Sequence, residues 1–492
     1  MRSLGKIGEN RYFRILTIGL VVFIGAYAVV QARSDSYDYA GLRLAYIPGE
    51  DGVVLTAPGG ATASFDPWVP LEQNRTLSDM TNGLCVSVGL EKGCQKTPGV
   101  SFSIFKKDHV ITRADGSTVT LKRNTVPLTV DDITPSFLDG RLALIAQWAK
   151  VNQRKDGSLP YIYTPSNGGY SELDNSIRQF ITSQGLFAVA DAIGDEALRS
   201  AAAKDEAVLM QKFYRASGGQ SYVLQDDGRA PLGSSAVALL SLREEHGLTS
   251  PLTAKEKKLG DFILTQQRDD GSFQTFYQAS STNEDERFYS GEALTALERL
   301  AEVQDDPRYD AALEKGINYY RPFLENDFWP QFAPWHMQAY ALAYERTHRE
   351  EYADYAFWLA DGLIDTMLKH DQDALPDEVG RFYNPSYAAN WGTPHSASTS
   401  IYVEGLTYAY ELAKIRGDEK RMRRYRDAIL QGTRSLLQVQ WTADDAYYLH
   451  YPERVIGAFK ETVTNNRFRI DQLGHTANAL SRVRTVLFDS AQ

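Results

Sequence analysis

The chain has 492 residues, of which 43% are hydrophobic and 23% are charged. This composition excludes a disordered chain, and the length exceeds one ordinary core, so we expect a large and a small domain. The formal net charge of −11 argues against bulk nucleic-acid binding, which needs a positive surface.

The N-terminus carries an uncharged apolar run from Ile15 to Val30, preceded by Arg and Lys residues and followed by acidic ones. A helix of this length spans about 24 Å, slightly less than a bilayer core of about 30 Å, and flanking apolar residues can extend it. We therefore predict a signal anchor over residues 1–34, with a secretory signal cut after Ala32 as the alternative. In a bacterium the chain would cross the inner membrane once, with its N-terminus in the cytoplasm and its body in the periplasm.

Residues 35–133 contain short runs of strand-forming residues separated by Gly, Pro and Asp, which predict a small β-rich module. The segment from Ala114 to Ser117 contains Asp-Gly and predicts a hairpin turn between the last two strands. The predicted strands are Val53-Val-Leu, Leu84-Cys-Val-Ser-Val, Val100-Ser-Phe-Ser-Ile-Phe, His109-Val-Ile-Thr and Thr118-Val-Thr-Leu.

The chain has two cysteines, Cys85 and Cys94, in a Gly-rich, strand-like part of this module. A lone close pair in an exported protein predicts a disulfide, and two free thiols are the alternative. No further side chains with metal-ligand spacing lie nearby, and no phosphate-binding Gly-rich loop is present. We therefore expect neither a metal nor a cofactor.

From Thr134 the hydrophobic period becomes helical, and residues 134–492 predict twelve helices in six hairpins. In each hairpin an amphipathic outer helix precedes a more apolar inner helix, which begins with a polar residue and a small-residue stretch. The polar residues, Gln184, Ser235, Glu292, Gln338, Glu404 and His475, are 51, 57, 46, 66 and 71 residues apart. This spacing is typical of a two-helix repeat with variable loops and predicts a mainly α fold, a closed (α/α)6 toroid.

The predicted hairpins pair outer and inner helices in chain order. A repeated element, Gln153-Arg-Lys-Asp-Gly-Ser-Leu and Gln267-Arg-Asp-Asp-Gly-Ser-Phe, resembles the Gln-x-x-x-Gly-x-aromatic element of terpene cyclases and related toroids, and we interpret it as a structural clamp. The pairs are 137–153 with 176–193, 195–215 with 234–245, 254–267 with 291–303, 309–324 with 337–347, 351–369 with 402–416, and 420–440 with 473–486.

The six polar residues are expected at helix N-termini that face the central cavity. We interpret Gln184 and Ser235 as caps or as partners in hydrogen bonds between helices. For Glu292, Glu404 and His475, a catalytic role and this structural role are equally weighted predictions. Two facing carboxylates suit glycoside hydrolysis, and a carboxylate beside His or Tyr suits proton transfer at carbon.

The loops before the inner helices add Arg, Tyr, His, Asn and Trp from four hairpins to one rim. Arg binds carboxylates through two parallel hydrogen bonds, so several rim arginines on an acidic protein indicate an acidic sugar polymer. For the histidine that follows Trp335, a core or capping role is an equal alternative. The candidates are Tyr289 and Tyr387 for catalysis, and Arg287, Trp335, His336, Asn390, Trp391, Arg467 and Arg469 for substrate binding.

Over residues 135–487 the hairpin pattern resembles the six-hairpin carbohydrate-active superfamily of glycoside hydrolases, polysaccharide lyases and sugar epimerases. Two stretches further resemble the C-terminal domain of D-glucuronyl C5-epimerases. They are Thr393-Pro-His-Ser-Ala-Ser-Thr-Ser-Ile-Tyr-Val-Glu-Gly405-Leu-Thr-Tyr408 and Arg469-Ile-Asp-Gln-Leu473. Because that family's Tyr-Asp-x-Gly-Ser-Gly-Thr stretch is absent here, the resemblance implies only a uronate-containing substrate.

The leading hypothesis is an exported, membrane-anchored enzyme that epimerises or cleaves a uronate-containing polysaccharide. Tyr289, Tyr387 or His475 would abstract the proton, and Arg287, Arg467 or Arg469 would neutralise the sugar carboxylate. The first alternative is a glycoside hydrolase that uses Glu292 and Glu404, and the second is a non-catalytic glycan-binding or scaffold subunit. Expected partners are a polysaccharide or oligosaccharide, the inner membrane and other envelope polysaccharide-synthesis proteins, but not nucleic acid.

Overall fold

The computed structural model describes residues 31–32, 35–217, 219–278, 286–368, 375–383 and 396–488. Two compact units divide between Val126 and Pro127, close to the predicted boundary at residues 133 and 134. The apolar run of the predicted signal anchor lies outside the described residues. Among the helices of the described ranges, none is long and apolar enough to cross a membrane.

The N-terminal unit combines strands with helices. Four strands form an antiparallel sheet in the order β1-β4-β2-β3, and β5 and β6 form a separate hairpin through the predicted turn. The strands are β1 (Gln31–Ala32), β2 (Gly52–Thr56), β3 (Thr62–Phe65), β4 (Ser101–Lys106), β5 (His109–Thr112) and β6 (Thr118–Leu121), and the helices are α1 (Tyr39–Ala45), α2 (Val69–Glu72) and α3 (Leu77–Ser87).

The strand predicted around Cys85 is wrong, because this residue lies in helix α3. The Thr76 side chain accepts a hydrogen bond from the Asp79 backbone, and the Asp79 carboxylate accepts one from Thr76, so a capping box starts the helix. Met80 and Leu84, one turn apart, are buried in the core of this unit. A disulfide joins Cys85 to Cys94, the pairing that the sequence predicts.

In its described ranges, the C-terminal unit has twelve long helices that alternate between an outer and an inner layer. The outer helices are α4 (Pro135–Asn152), α6 (Glu196–Phe213), α8 (Ala254–Thr265), α10 (Pro307–Asn326), α12 (Glu350–Met367) and α14 (Glu419–Leu437). The inner helices are α5 (Ser176–Ile193), α7 (Leu232–His246), α9 (Glu286–Ala301), α11 (Ala333–Thr347), α13 (Ser396–Ile415) and α15 (Ile470–Phe488).

The inner helices close a ring. Each one packs against the next in chain order, and α15 packs against α5, so the first and last hairpins meet. Glycines permit this close approach: a Cβ on Gly185 would lie 2.5 Å from the Gly474 carbonyl oxygen. The small residues of the inner-helix pattern therefore serve contacts between neighbouring inner helices.

Short strands lie in the loops between outer and inner helices. Strands β7 (Ile162–Thr164), β8 (Gly169–Tyr170) and β11 (Phe468–Arg469) form a sheet in the order β11-β7-β8, and β9 (Tyr214–Ser217) pairs with β10 (Gln220–Val223). The first sheet joins the loops of hairpins one and six, so it also closes the ring at this end.

Side-chain amides clamp each of three loops to an outer helix. Gln153 donates to the carbonyl oxygens of Gly157 in its own loop and Ala201 on α6, at 2.9 and 2.7 Å. Gln267 repeats this pattern with Gly271 and Ala312. A third clamp, Gln440 with Gly457 and Arg141, was not predicted because a longer insertion separates its glutamine and glycine. These contacts agree with the structural interpretation of the repeated element.

Candidate active site

The six polar residues of the inner helices do not lie at helix N-termini as predicted. The inner helices begin three to eight residues earlier, so these side chains project from the first to third turns. Ser235 accepts a hydrogen bond from the Val223 amide at 3.0 Å and ties α7 to β10, as a structural residue would. Gln184 is 8% exposed. The prediction failed because the helices continue through polar residues that read as loop.

The ring encloses a central bore, and one contact across it defines which side chains face inward. Arg299 on α9 donates from Nη2 to the Tyr408 hydroxyl on α13 at 3.1 Å, although α11 lies between these two helices in the ring. Glu292 precedes Arg299 by seven residues and Glu404 precedes Tyr408 by four. Because residues at these spacings share one helix face, Glu292 and Glu404 lie on the inward faces of α9 and α13.

Two arginines and a tyrosine close the bore near the C-terminal ends of the inner helices. Arg299 binds both carboxylate oxygens of Glu302, at 2.9 and 3.0 Å. On α15, the Arg482 guanidinium lies 3.5 Å from the centre of the Tyr408 ring and forms an ion pair with Glu411. We call Arg299, Tyr408 and Arg482 the floor.

The candidate catalytic residues lie above the floor at two levels. With a rise of 1.5 Å per residue, Glu404 is about 6 Å above Tyr408 along the helix axis. Glu292 is about 10 Å above Arg299, and His475 is the same distance above Arg482. Glu292 and Glu404 therefore differ by about 4.5 Å in height, on inner helices α9 and α13, which have α11 between them in the ring.

Glu404 is a buried carboxyl group with a strongly perturbed pKa. Its side chain is 2% exposed, and among the described residues no hydrogen-bond partner reaches its Oε2. Burial raises the pKa of Glu404 to about 8, with Glu244 adding to the rise, while Arg482 and Arg299 oppose it. Since burial disfavours the charged form, Glu404 holds its proton at neutral pH.

Glu292 occupies space that a glycine leaves open. A Cβ on Gly233 of α7 would lie 2.2 Å from Glu292 Oε2 and 2.4 Å from Tyr289 Cδ1. Tyr289 is 8% exposed and packs edge-on against Phe276, with ring centres 5.9 Å apart. Tyr289 and the Glu292 carboxyl group thus both lie against Gly233 at the contact between α7 and α9.

An aromatic contact crosses the bore at the upper level. The rings of Trp335 on α11 and His475 on α15 lie 6.4 Å apart, although α13 separates these helices in the ring. Trp335 is 2% exposed and His475 is partly exposed. These two residues narrow the bore and offer an aromatic surface next to a titratable ring.

His336 is a core histidine, so its predicted role in substrate binding is wrong. The ring is fully buried, touches the rings of Tyr320, Phe332 and Tyr355, and lies 3.1 Å from the Ser290 hydroxyl. Burial lowers the pKa of His336 to about 3, so the ring stays neutral. Tyr320 and Tyr355 belong to outer helices, which means that His336 faces away from the bore.

The predicted rim arginines are already engaged. Arg467 makes a two-point ion pair with Glu461, at 2.9 and 2.8 Å. Arg469 makes another with Asp471, at 2.6 and 2.8 Å. The Arg287 guanidinium lies 3.6 Å from the centre of the Trp329 ring. A substrate carboxylate would have to displace these contacts or share them.

Arg178 is a rim residue that the sequence did not single out. It lies in the first turn of α5, donates to the Tyr161 hydroxyl at 2.5 Å and approaches Asp471 at 3.3 Å. Arg178 and Arg469 thus share the Asp471 carboxylate. Tyr387, Asn390 and Trp391 lie outside the described residues. In the parts of the chain that the structure describes, no three His, Cys, Asp or Glu side chains gather as a metal site.

No protein-family model matches the chain, and no curated protein is significantly similar to it. Solved structures are similar in fold. An unsaturated glucuronyl hydrolase specific for heparin aligns with a TM-score of 0.52 at 11% identity, over 71% of this chain and 97% of that one. A family 76 glycoside hydrolase from a bovine Bacteroides thetaiotaomicron strain aligns with a TM-score of 0.52 at 10% identity, over 89% and 94%.

An inactive α-1,6-mannanase variant from Salegentibacter sp. HEL1_6, in complex with α-1,6-mannotetrose, aligns with a TM-score of 0.51 at 12% identity. It covers 71% of this chain and 99% of its own. These similarities confirm the predicted (α/α)6 toroid fold. At such low identities they concern the fold alone.

Proposed function

We propose that the toroid is a carbohydrate-active enzyme that hydrolyses a glycosidic bond of a polysaccharide or oligosaccharide bound at the open end of its bore. The observation that carries this proposal is the protonated, buried Glu404 on the inward face of α13, two inner helices from Glu292 on α9. The glucuronyl hydrolase and the glycoside hydrolases of similar fold favour the same class of reaction.

In the proposed reaction, Glu404 gives its proton to the glycosidic oxygen as the bond to the anomeric carbon breaks. The Glu292 carboxylate takes a proton from the water that attacks this carbon, so one bond breaks, one forms and no charge is left over. A raised pKa suits the acid because the carboxyl group must stay protonated at working pH. Trp335 offers an apolar surface against which a sugar ring can stack.

Epimerisation or β-elimination on a uronate-containing polymer is the second candidate. The observation that favours it is the sharing of the Asp471 carboxylate by Arg178 and Arg469, which leaves one positive charge uncompensated within that trio. A sugar carboxylate could bind there. His475 would then abstract the proton next to the carboxylate group.

Three product assays separate these reactions when the purified protein is incubated with neutral and acidic polysaccharides. New reducing ends without ultraviolet absorbance support hydrolysis, an absorbing unsaturated product supports elimination, and solvent deuterium at C5 supports epimerisation. If none of the three assays detects a product across a broad panel of polysaccharides, the enzymatic proposal is overturned and a glycan-binding or scaffold subunit is favoured.

Variants then test the two carboxyl groups. Glu404→Gln and Glu292→Gln should each lower kcat by about 10²–10⁴-fold, the usual contribution of a general acid or base. Glu404→Gln should leave the fold intact because Gln copies the shape of a protonated carboxyl group. The control is Glu345→Gln, an exposed glutamate of inner helix α11. Full activity of both catalytic variants would refute the assigned roles.

We further propose that the protein is exported and retained at the inner membrane by its N-terminal segment. The Cys85–Cys94 disulfide supports export, because such bonds persist in oxidising compartments. Protease added to spheroplasts should digest the body while the cytosol remains protected, and removal of residues 1–34 should abolish both export and membrane retention. Full protection of the body in intact spheroplasts would contradict this location.

A further inference from the structure

A chain of two hydrogen bonds links Arg482 to the main chain of Glu404. Arg482 Nε donates to Thr407 Oγ1 at 2.9 Å, and Thr407 Oγ1 donates to the Glu404 carbonyl oxygen at 2.6 Å. The same guanidinium covers the Tyr408 ring, one turn after Glu404. Helix α15 thus holds the turn of α13 that carries the carboxyl group.

Arg299 holds the same turn of α13 from helix α9, which lies two inner helices away in the ring. Arg299 on α9 donates to the Tyr408 hydroxyl, and its other donors bind Glu302 on its own helix. Arg299 is 9% exposed, so this contact is shielded from water. These contacts therefore join three inner helices directly beneath Glu404, which limits how far this turn of α13 can move.

The charges that reach Glu404 come from three other inner helices. Arg482 on α15 and Arg299 on α9 are positive, and Glu244 on α7 is acidic. On its own helix, Tyr408 and Glu411 follow on the same face. Glu404 Oε2 itself is buried and has no hydrogen-bond partner within the described chain. The contacts thus hold the helix turn that carries Glu404 and do not engage Oε2, so the carboxyl proton remains available for transfer.

We propose that Arg482, Arg299 and Tyr408 are positioning residues, which hold the turn of α13 that carries Glu404 and balance the charge around its carboxyl group. This inference rests on the proposed function of Glu404 as an acid. It goes beyond that function because none of the three floor residues needs to touch the substrate, and because it assigns opposite electrostatic effects to Arg482 and Glu244.

The test measures the pKa of Glu404 in the full-length protein without using activity. The unfolding free energy is followed against pH for each parent and for the same chain with Glu404→Gln, and their difference gives the pKa. Arg482→Gln removes a positive charge and should raise the pKa by about one unit. Glu244→Gln removes an acidic neighbour and should lower it. The control Arg484→Gln, on α15 but paired with Asp139 of outer helix α4, should not move it.

Activity provides the second readout. In Arg482→Gln the high-pH limb of the kcat profile should follow the measured pKa upward, with kcat lowered more than KM is raised. An unchanged Glu404 pKa in both Arg482→Gln and Glu244→Gln would overturn the inference. If Arg482→Gln does not fold, Arg299→Gln takes its place: it should also raise the Glu404 pKa, and an unchanged pKa overturns the inference. Should the pKa shift as expected while Glu404→Gln keeps full activity, the floor is upheld and the acid role of Glu404 fails.

Discussion

Replacing Asp205 by Asn should remove a loss of stability that the wild type undergoes between acid and neutral pH. Asp205 lies on outer helix α6, is fully buried and accepts a hydrogen bond from Ser183 of α5 at 2.7 Å. The next residue, Glu206, accepts one from Ser241 of α7 at 2.5 Å. Two consecutive carboxyl groups thus bind one outer helix to two inner helices.

The size of the effect follows from the shift of one proton equilibrium. Burial raises the pKa of Asp205 to about 7, although the Ser183 hydrogen bond acts to lower it. Because the folded pKa lies above the unfolded one of about 3.9, the stabilisation present below pH 4 is lost as pH rises towards 7. About three units correspond to about 4 kcal/mol, and Asn, which cannot ionise, escapes this loss.

The assay is urea unfolding of wild type and Asp205→Asn from pH 4 to 7.5, monitored on the toroid transition. The wild type should lose about 4 kcal/mol relative to the variant over this range. Asp156→Asn is the control: its Ser158 hydrogen bonds lower the pKa of this exposed carboxyl group, so its contribution falls only at acid pH. A pH-independent difference between wild type and Asp205→Asn would refute the assignment of a protonated Asp205.

Two further substitutions test the ring and its core. Gly457→Ala should destabilise the toroid by about 2–4 kcal/mol in urea unfolding, since a Cβ would lie 2.0 Å from the Leu144 carbonyl oxygen. Gly228→Ala has a similar positive φ but open space, so a cost equal to that of Gly457→Ala would contradict the clash. His336→Phe should keep full activity and change stability by about 1 kcal/mol, because Ser290 still donates to the Glu286 carbonyl oxygen; a large rise in KM would restore a role in binding.

The helical layers were predictable because their periodicity is a property of single segments. The inner helix over 176–193 was predicted with the bounds that the structure has. The inner helix predicted from residue 291 begins at Glu286, because the charged and aromatic residues before Gly291 read as loop. Tertiary packing stabilises such a first turn, and local propensity does not report packing.

The N-terminal unit illustrates a signal that was present and overlooked. Thr76 and Asp79 have the capping-box spacing, which predicts a helix start, yet the apolar residues around Cys85 resembled a strand. The rim arginines illustrate the reverse case. Asp471 lies two residues from Arg469, and Glu461 lies six from Arg467, so an ion-paired rim was readable from the sequence alone.

The floor could not be read from the sequence, because its contacts join helices that are far apart in the chain. Arg299 and Tyr408 are separated by 109 residues, and each lies among ordinary helical neighbours. Their relation to Glu292 and Glu404 appears only after the helix register shows that spacings of seven and four share the bore face.

Charge balance in the bore explains why a proton donor arises at Glu404. Arg299 forms an ion pair with Glu302, and Arg482 forms one with Glu411, so the positive charge of each floor arginine is already paired. Glu244 is a further acid at the same level, and burial raises its pKa as well. An ionised Glu404 would therefore be an uncompensated charge in a buried site, which is more costly than keeping the proton. Burial therefore keeps the Glu404 carboxyl group protonated, with Glu244 adding to the effect, and removing either arginine should raise its pKa further.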